Sequence, residues 1–362
     1  MFHNPLIDKI RPYKLSSHKA WETNNKNQVL KLDWNEATIP PSPLVKQSII
    51  NLIQDGKLNW YPDVNNKELI QSIADYNDLP FENIQYFASS DSLHEYIVRC
   101  YVGQSDRILV ISPTYDNFRA VAESNGGQIQ FYSLSKNFDL DFIQFSKDLK
   151  LINPKVVYIV NPNNPTGTLH SSKELKILIE NHPEILFIID EAYYEFSRET
   201  VSELTKSLEN LIISRTFSKA FALASFRIGY AISHPKNIQI INKIRNPKNV
   251  SLFAQVAAIE AIKDIQYTIN YVAEVNKTQI QFIKALNELD FLKTIPGAGN
   301  FVFVKFFRKE IKENFILFLE SKNIFIRDYG HIPDTEMFAR ITIGTQNQMS
   351  EFLEVIKEFI KK

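Results

Sequence analysis

The sequence has little cysteine, no excess of charge of either sign and no long apolar run. Among 362 residues there is one cysteine, Cys100, so neither an internal disulfide nor a cysteine-based metal cluster is expected. The 41 Lys and Arg residues balance 41 Asp and Glu residues, which argues against binding of nucleic acid or an anionic membrane through bulk charge. No stretch approaches the roughly 18 apolar residues that a membrane helix needs. We therefore expect a cytoplasmic protein whose partners are small molecules, with neither nucleic acid nor membrane among them.

Glycine is also scarce, with ten residues, and its positions exclude two common nucleotide sites. Gly297-Ala298-Gly299 has Val302 where the Rossmann fingerprint needs its third glycine, and no Gly-Lys-Ser/Thr loop occurs. The histidines, His94 and His331 included, lack metal-ligand spacing, so no metal site is predicted. The chain does have apolar surface: 44% of its residues are hydrophobic, which is enough for one large or two medium cores.

Short apolar runs alternate with helical patterns through the middle of the chain. Several runs are apolar without alternation, which is typical of strands buried on both faces of a mostly parallel sheet. The alternation of strands and helices predicts an α/β layered fold. The predicted strands are residues 84–87, 107–111, 128–132, 156–160, 185–189, 211–213 and 228–232. The predicted helices are residues 66–76, 92–101, 116–124 and 172–181.

The pattern changes after Arg245. Residues 252–262 and 267–289 have the pattern of long helices, and strand-like runs follow at 300–306, 324–327 and 340–343, with a closing amphipathic helix from Asn347. This order predicts a smaller α+β domain. We divide the chain into residues 1–45 (an N-terminal arm and part of the small domain), residues 46–250 (the large domain) and residues 251–362 (the small C-terminal domain).

Four polar segments follow predicted strands, at the sheet edge where open α/β sheets bind ligands. They are Asn161-Pro-Asn-Asn164-Pro-Thr-Gly167, Asp190-Glu-Ala-Tyr193, Ser214-Arg-Thr-Phe-Ser218-Lys219 and Arg227-Ile-Gly229. Taken singly, Asp190 can cap a helix, Lys219 can be a surface lysine and Arg227 can form a salt bridge. Together they supply what pyridoxal phosphate needs: an amine for its aldehyde, a carboxylate for its pyridine nitrogen and a guanidinium for its phosphate.

One of these segments carries a family resemblance. Ser214-Arg-Thr-Phe-Ser-Lys-Ala-Phe-Ala-Leu-Ala-Ser-Phe-Arg-Ile-Gly229 resembles the lysine segment of fold-type-I pyridoxal-phosphate aminotransferases (class I/II), most closely the histidinol-phosphate aminotransferase branch. The resemblance extends from Lys31-Leu-Asp-Trp-Asn-Glu36 and Trp60-Tyr-Pro-Asp63 to Phe338-Ala-Arg-Ile-Thr-Ile-Gly-Thr345. It implies a large domain with a seven-stranded, mostly parallel sheet beside the smaller α+β domain, and pyridoxal 5′-phosphate as cofactor.

The resemblance also implies roles for individual residues. The implied catalytic residues are Lys219, which forms the Schiff base and shuttles the substrate proton, Asp190, which pairs with the pyridine nitrogen, and Tyr193. Tyr193 and Asn164 are implied to bind the ring hydroxylate, and Tyr115 to stack on the ring face. The implied phosphate ligands are Ser90, Asp91, Thr216, Ser218 and Arg227, of which the first two lie at a helix N-terminus.

Further implied roles concern the second subunit and the substrate. Tyr61 is implied to reach the cofactor phosphate from a neighbouring subunit, and hence a homodimer with shared active sites is implied. Arg340 matches the position that binds the substrate carboxylate, and Arg327 resembles the arginine that contacts a substrate phosphate. A structural pair with Asp328 or another acidic residue is the alternative for Arg327. Tyr13 lies near the family's N-terminal tyrosine, which also contacts the substrate phosphate.

Two segments depart from the family pattern. The substrate loop reads Asn35-Glu36-Ala37-Thr38-Ile39-Pro40 where the branch has Asn-Glu-Asn-Pro-Tyr/Phe-Gly. Asn35 and Glu36 are candidate substrate contacts, and helix capping is the alternative for Glu36. The phosphate-binding segment reads Ala88-Ser89-Ser90-Asp91-Ser92, without the usual glycine and Asp-Glu pair. These departures affect the identity of the amino acceptor more than the catalytic mechanism, so the acceptor stays open.

The leading hypothesis is a transaminase that moves an amino group from glutamate to a small, phosphorylated carbonyl compound, with service in polysaccharide or capsule precursor synthesis as one role. The alternative is a decarboxylase of an O-phospho amino acid, of the phosphothreonine or phosphoserine type, because such enzymes share the fold and motifs. A third hypothesis, a cofactor-binding regulatory module, is disfavoured because the chain has no basic helix-turn-helix segment and keeps Lys219, Asp190 and Arg227.

Overall fold

The computed structural model describes residues 2–12, 19–332 and 334–361. Its strands are β1 (Leu30–Leu32), β2 (Ile84–Phe87), β3 (Arg107–Ser112), β4 (Gln128–Ser133), β5 (Val156–Val160), β6 (Leu186–Asp190), β7 (Leu211–Thr216), β8 (Gly229–Ser233), β9 (Leu292–Ile295), β10 (Phe301–Phe306), β11 (Ile324–Asp328) and β12 (Phe338–Thr342). Its α-helices are α1 (Lys19–Glu22), α2 (Pro43–Asp55), α3 (Lys67–Asn77), α4 (Ser90–Tyr101), α5 (Asn117–Ser124), α6 (Phe142–Ile152), α7 (Ser172–Glu180), α8 (Tyr194–Ser197), α9 (Pro235–Asn242), α10 (Leu252–Lys263), α11 (Ile265–Leu286), α12 (Lys309–Ser321) and α13 (Gln346–Ile360). None of the helices in these residues is long and apolar enough to span a membrane.

The larger sheet has seven strands in the order β2-β8-β7-β6-β5-β3-β4. All run parallel except β8, which is antiparallel to both of its neighbours. The expected α/β fold with a seven-stranded, mostly parallel sheet is thereby confirmed. Each predicted strand of this sheet is present, with small differences in bounds: β6 ends on Asp190, and β7 continues to Thr216.

Both faces of this sheet are buried, which explains the unbroken apolar runs. Ile188 packs into the core on one face with α4, α5 and α9, whereas Phe187 and Ile189 pack into the core on the other face with α2, α3 and α10. Successive side chains of a strand point to opposite faces, so a strand between two helical layers must be apolar at every position. Each such buried side chain contributes about 1.5–3 kcal/mol relative to exposure.

The smaller sheet has five strands in the order β1-β11-β12-β10-β9. Three of these strands were predicted, and the structure adds β9 and β1, which is only three residues long. Strand β1 comes from the first part of the chain and pairs in parallel with β11, with Leu30 opposite Ile324. Helices α11, α12 and α13 bury Phe282, Phe315 and Phe352 against this sheet.

The predicted boundary at residues 250/251 assigns helix α10 to the small domain, but α10 packs with the larger sheet. Its residues Ala254, Ala257 and Ala258 pack into the core of the larger sheet, beside α2 and α3. These small side chains let the helix approach closely, and α10 has buried residues around most of its circumference. The boundaries at residues 45/46 and 250/251 otherwise stay a prediction.

Candidate active site

A cavity of about 1580 Å³ lies at the carboxyl ends of the parallel strands, where they meet the smaller sheet. Most of the residues singled out from the sequence line it, although they come from distant parts of the chain. They are Glu36, Ser90, Asp91, Tyr115, Asn164, Asp190, Tyr193, Thr216, Ser218, Lys219, Arg227, Arg327 and Arg340. The structure therefore brings together the residues expected at the cofactor ring, the phosphate and the substrate.

Lys219 lies in the loop after β7, with its amine inside the cavity. Its Nζ donates a hydrogen bond to the carbonyl oxygen of Trp34 at 2.7 Å. Burial, assisted by the nearby positive charge of Arg340, lowers the pKa of Lys219 from 10.5 to about 8. At neutral pH an appreciable fraction of this amine is unprotonated, and only that form attacks an aldehyde.

Asp190 ends β6 and is buried at the floor of the cavity. Its Oδ2 accepts a hydrogen bond from the Tyr158 hydroxyl at 2.8 Å, and its Oδ1 accepts one from the Ala192 N–H at 3.1 Å. Burial raises the pKa of Asp190, and His94 and Tyr158 oppose that rise. A buried carboxylate is costly unless positive charge or hydrogen-bond donors offset its burial, so this site fits a protonated pyridine nitrogen, which supplies a positive charge.

The N-terminus of α4 forms the opposite end of the candidate cofactor site. Here β8 approaches the helix so closely that a Cβ on Gly229 would lie 2.7 Å from both the Ser90 nitrogen and the Arg215 carbonyl oxygen. Only glycine fits at this position. The first N–H groups of an α-helix lack intrahelical acceptors, and they bind phosphate well.

Hydroxyl and guanidinium groups surround this helix terminus. The Thr216 hydroxyl donates to Ser218 Oγ at 2.9 Å, and an Arg227 nitrogen lies 3.5 Å from the same oxygen. The second terminal nitrogen of Arg227 lies 3.3 Å from Asp91 Oδ2. The Asp91 carboxylate also accepts from the Tyr115 hydroxyl at 3.0 Å. Because the carboxylate would repel a phosphate, Asp91 is suited to bind one through its backbone N–H. The donor set fits a phosphate monoester.

Ser89, the N-cap of α4, has the backbone angles φ 91° and ψ 164°. This region is essentially reserved for glycine, and it holds serine at a cost of about 1–3 kcal/mol. This is the segment at which the sequence lacks the glycine of the family that it resembles. Ser89 partly offsets the strain, since its Oγ accepts a hydrogen bond from the Ser92 N–H at 3.2 Å.

Ser89→Gly is expected to raise the free energy of unfolding by about 1 kcal/mol. Relief of the strained backbone outweighs the lost cap and the larger entropy of glycine in the unfolded chain. Urea denaturation of the cofactor-free protein measures the change. Asn153→Gly is the matched control, because Asn153 has φ 49° and ψ 59°, which asparagine tolerates. A lower stability of Ser89→Gly than of the unaltered protein would contradict the strain argument.

The substrate side of the cavity holds two arginines on neighbouring strands. Arg327 of β11 and Arg340 of β12 are directly opposed in the antiparallel ladder. Arg340 donates to the Tyr329 hydroxyl oxygen at 3.1 Å and to Asn164 Oδ1 at 2.5 Å. Its buried Nε has no hydrogen-bond partner within the part of the chain that the structure describes. Asn164 is thus fixed between the two domains, within reach of both the cofactor site and the substrate arginines.

The surroundings of Arg327 and Glu36 bear on the alternative role of each residue. Asp328 is exposed and pairs with Lys312 Nζ at 2.7 Å, while Arg327 is buried on the other face of the strand. The carboxylate of Glu36 pairs with Lys31 and lines the cavity. The following helix α2 is capped by Ser42 instead, so the capping role for Glu36 is wrong.

Two predicted site residues, Asn35 and Tyr61, do not line the cavity. Asn35 is fully buried behind Tyr193: its amide donates to the Tyr193 hydroxyl oxygen at 3.0 Å, and it accepts from the Thr342 hydroxyl at 3.0 Å. It supports Tyr193 and is not available to a substrate, because its polar groups are already paired. Tyr61 is 77% exposed, beneath the Lys248 amine at 4.5 Å from its ring centre. Tyr13 falls outside the described residues.

Sequence reasoning missed several residues of this site. Lys31, Asp33 and Tyr329 line the cavity, and Tyr158 and His94 lie behind Asp190. The available signal for His94 was its spacing, one helical turn after Ser90 on the same helix face. The others follow only from packing between distant segments.

The family model for aminotransferase class I and II matches residues 27–356. The chain belongs to this family. It is 46% identical to a dihydroxyacetone phosphate transaminase of Campylobacter jejuni, covering 99% of this chain and 97% of that one. It is 33% identical to a histidinol-phosphate aminotransferase of Ruminiclostridium cellulolyticum, covering 96% and 98%. The solved histidinol-phosphate aminotransferase of Sinorhizobium meliloti, in complex with pyridoxal 5′-phosphate, superposes with a TM-score of 0.88 at 26% identity, covering 99% and 98%.

The protein is therefore an aminotransferase with pyridoxal 5′-phosphate as its cofactor, as the sequence predicted. The family assignment agrees with the local chemistry: a lysine of lowered pKa, a buried carboxylate of raised pKa and a helix N-terminus with an arginine surround one cavity. A phosphothreonine decarboxylase of Porphyromonas gingivalis shares the fold, with a TM-score of 0.79 at 21% identity. That likeness concerns the fold alone.

Proposed function

We propose that this aminotransferase moves an amino group from glutamate to a small phosphorylated ketone of the dihydroxyacetone phosphate class. The observation that carries the proposal is the opposed pair Arg327 and Arg340 at the substrate side of the cavity. Directly opposed residues of antiparallel strands project to the same face with their Cβ atoms about 5 Å apart. Side by side, the two guanidinium groups can serve a substrate that carries both kinds of anion, Arg327 binding an acceptor phosphate and Arg340 the glutamate carboxylate.

The names of the two relatives reported above also support a phosphorylated substrate. The Campylobacter protein, 46% identical over nearly the whole chain, is named for a three-carbon phosphorylated ketone. The histidinol-phosphate relative is also named for a substrate that carries a phosphate. Both names describe aminotransferases, which favours amino-group transfer over decarboxylation. Service in polysaccharide or capsule precursor synthesis is the pathway role that we propose for it.

The roles of the individual residues follow from their positions. The bound cofactor supplies an electron-withdrawing ring that stabilises negative charge at the substrate carbon. Lys219 Nζ takes the proton from that carbon and returns it, and Asp190 holds the proton on the ring nitrogen. Tyr193 and Asn164 would donate to the ring oxygen, and Tyr115 would cover the ring face. The N–H groups of Ser90 and Asp91, with Thr216, Ser218 and Arg227, would hold the phosphate, and all of these residues line the cavity.

We also propose a cytoplasmic homodimer in which Tyr61 reaches the cofactor phosphate of the partner subunit. Three neighbouring apolar side chains support this arrangement, since Leu58, Trp60 and Tyr61 are all exposed on the single chain. Large exposed aromatic groups in one segment are typical of a surface that a second protein covers. Tyr61 therefore has no role in the cavity of its own chain.

The proposed reaction is tested in its two halves. Glutamate alone should convert the bound cofactor to its amine form, seen as loss of the visible absorption band, and a phosphorylated ketone should then restore that band. The acceptor panel is dihydroxyacetone phosphate, dihydroxyacetone, histidinol-phosphate-like ketones, keto acids and keto sugars. Release of carbon dioxide from an O-phospho amino acid, without conversion by glutamate, would overturn the proposal in favour of the decarboxylase.

The arginine pair gives the sharper prediction. Arg327→Ala is expected to raise the Michaelis constant of the phosphorylated acceptor at least tenfold, and Arg340→Ala to weaken glutamate more than an acceptor without a carboxylate. Loss of a charge-assisted contact costs about 2–4 kcal/mol. Arg327→Lys should recover only part of the affinity, because an ammonium group cannot reproduce the planar fork. Steady-state kinetics of both half-reactions separate the two effects.

Arg107→Ala is the matched control for these variants. Arg107 is exposed at the start of β3, and the cavity lies at the other end of this strand. The Arg107→Ala variant therefore tests the loss of an arginine that is distant from the cavity. If Arg327→Ala impairs glutamate and acceptor equally, or impairs neither, the phosphate role is wrong. The Glu36–Lys31 pair in the same cavity would then be the next determinant of acceptor choice to test.

A further inference from the structure

Arg215 is a fully buried arginine at the carboxyl edge of the larger sheet. It lies in β7, directly before Thr216, and it is only 1% exposed. Its Nε and Nη2 donate to the same oxygen, Oε2 of Glu191, at 2.9 and 2.7 Å. Nη2 also donates to the Thr200 hydroxyl oxygen at 2.9 Å, and the guanidinium carbon lies 3.4 Å from the centre of the Tyr194 ring. This one side chain therefore joins β7 to the segment that follows β6.

The backbone pairing of β6 with β7 ends just before this contact. Asp190 and Ser214 are the final pair of the ladder, and the Glu191 N–H donates to the Ser214 carbonyl oxygen at 2.8 Å. Beyond that bond the two segments separate, since one turns into α8 while the other continues as β7. The described residues show no further backbone hydrogen bond between them. The contact between Arg215 and Glu191 thus lies where the ladder no longer fixes their separation.

The cofactor would lie between these same two segments. Asp190 and Tyr193 belong to the segment from β6, whereas Thr216 and Lys219 belong to the segment from β7, and all four line the cavity. Asp190 and Lys219 would contact the cofactor from different segments, so a change in the separation of the segments alters its fit. A displacement of about 1 Å in a positioned group can cost on the order of a hundredfold in rate.

The charges around Arg215 allow its effect on stability to be separated from its effect on position. Glu191 is fully buried, and burial raises its pKa while Arg215 opposes that rise. Loss of the arginine alone leaves this carboxylate buried without its partner, which is strongly destabilising, whereas replacing both partners by apolar groups is often neutral. Burial raises the pKa of the neighbouring Glu195 to about 7, so Glu195 can take up a proton when the guanidinium is absent.

We propose that Arg215 is a positioning residue that sets, through Glu191, the separation of the two segments between which the cofactor binds. Arg215 touches neither the cofactor nor the substrate, because its side chain points to the face of β7 opposite to that of Thr216 and does not line the cavity. The proposal rests on the assigned roles of Asp190 and Lys219, and it is independent of which donor and acceptor the enzyme uses.

The test compares Arg215→Met with the double variant Arg215→Met/Glu191→Leu. Arg215→Met should lower the melting temperature of the cofactor-free protein, and the double variant should recover most of that loss because it removes both charges. In both variants the dissociation constant of pyridoxal phosphate should rise about tenfold. The half-reaction with glutamate should slow about tenfold, with its Michaelis constant changed by less than about twofold. Should Arg215→Met fail to fold, the double variant decides the question.

Glu191→Gln is the conservative variant. Both bonds from Arg215 go to one oxygen of Glu191, so the single amide oxygen of glutamine can accept both of them. The amide N–H can then donate to the Thr200 hydroxyl oxygen, which lies 2.9 Å from the other carboxylate oxygen. Glu191→Gln should bind the cofactor and react within about threefold of the unaltered protein, because it keeps the geometry without the charge.

Three results would overturn the proposal. The first is a double variant that recovers full cofactor affinity and rate together with its stability, since the pair would then be structural only. The second is an unchanged cofactor affinity in Arg215→Met, and the third is a loss in Glu191→Gln as large as that in Arg215→Met. Cofactor binding needs no amino donor, so these results are distinguishable from a wrong choice of glutamate.

Lys312 supplies the matched control for loss of a buried cation. It is 1% exposed and lies away from the cavity lining, and its Nζ donates to Asp328 Oδ1 at 2.7 Å and to the Glu336 carbonyl oxygen at 2.6 Å. Lys312→Met should lower the melting temperature without changing the absorption band or the dissociation constant of the cofactor. If Lys312→Met weakened the cofactor as much as Arg215→Met, the effect would reflect a general loss of stability, and the proposal would be wrong.

Discussion

Lys219→Ala is expected to abolish turnover and to leave the cofactor without a covalent link to the protein. The Lys219 amine is well prepared to react with an aldehyde, because burial and Arg340 lower its pKa to about 8. About a quarter of such an amine is unprotonated at pH 7.5, compared with about one part in a thousand for an ordinary lysine. The visible absorption band of the loaded enzyme should disappear in the variant.

Borohydride reduction identifies the attachment residue directly. Reduction of the loaded enzyme should leave the cofactor on one peptide, the one that contains Lys219. Lys31→Ala is the control within the same cavity, and it should keep the label because the Lys31 amine is engaged by Asp33 and Glu36. The rate of attachment should rise with pH through about 8 and then level off, since only the neutral amine reacts. Label on any other lysine contradicts the assignment.

Asp190→Asn is expected to slow the reaction about a hundredfold or more. The substitution keeps the size of the side chain and most of its hydrogen bonding, but it removes the negative charge that holds the ring-nitrogen proton. Loss of such an electrostatic partner costs about 3 kcal/mol of transition-state stabilisation. Single-turnover kinetics with glutamate measure the effect, and an unchanged rate would rule out the proposed role of Asp190.

Although Asp190→Asn slows the reaction, it should raise the free energy of unfolding of the cofactor-free protein. Burial raises the folded-state pKa of Asp190, so the folded protein binds a proton more tightly than the unfolded chain does. Stability is therefore lost as the pH rises above the unfolded value of 3.8, and an uncharged asparagine avoids that loss. Asp148→Asn is the control, because Asp148 also accepts from a tyrosine hydroxyl, that of Tyr132 at 2.8 Å, outside the cavity lining.

The sequence predicted the elements and residues whose signals are local. The inner strands of the larger sheet were visible because burial on both faces requires continuous apolar runs, whereas the edge strand β4 is mostly exposed and has no such run. Lys219 and Asp190 were visible because each directly follows or ends such a run. By contrast, β1 has three residues, too few to show a period, and helix α6 (Phe142–Ile152) was missed although Asp141 caps it.

The remaining features depend on contacts between distant segments. Nothing in the spacing of Arg327 and Arg340 shows that they are opposed across two strands, since that register is set by the loop between them. The role of Asn35 changes from substrate contact to support because Tyr193, 158 positions later, packs against it. His94 is near Asp190 only because α4 packs against the face of the sheet that also carries Tyr158.

The pairing of β1 with β11 determines the order in which the two halves of the cavity can form during protein synthesis. Leu30 can pair with Ile324 only after the ribosome has added 294 further residues. At about 5–20 residues per second this interval is about 15–60 s. The strands that carry Asp190 and Lys219 are complete earlier, so the cofactor half can form first. The loop that follows β1, with Asp33 and Glu36, reaches its final place only when the last strands of the chain emerge, and the substrate half is therefore the last part of the enzyme to assemble.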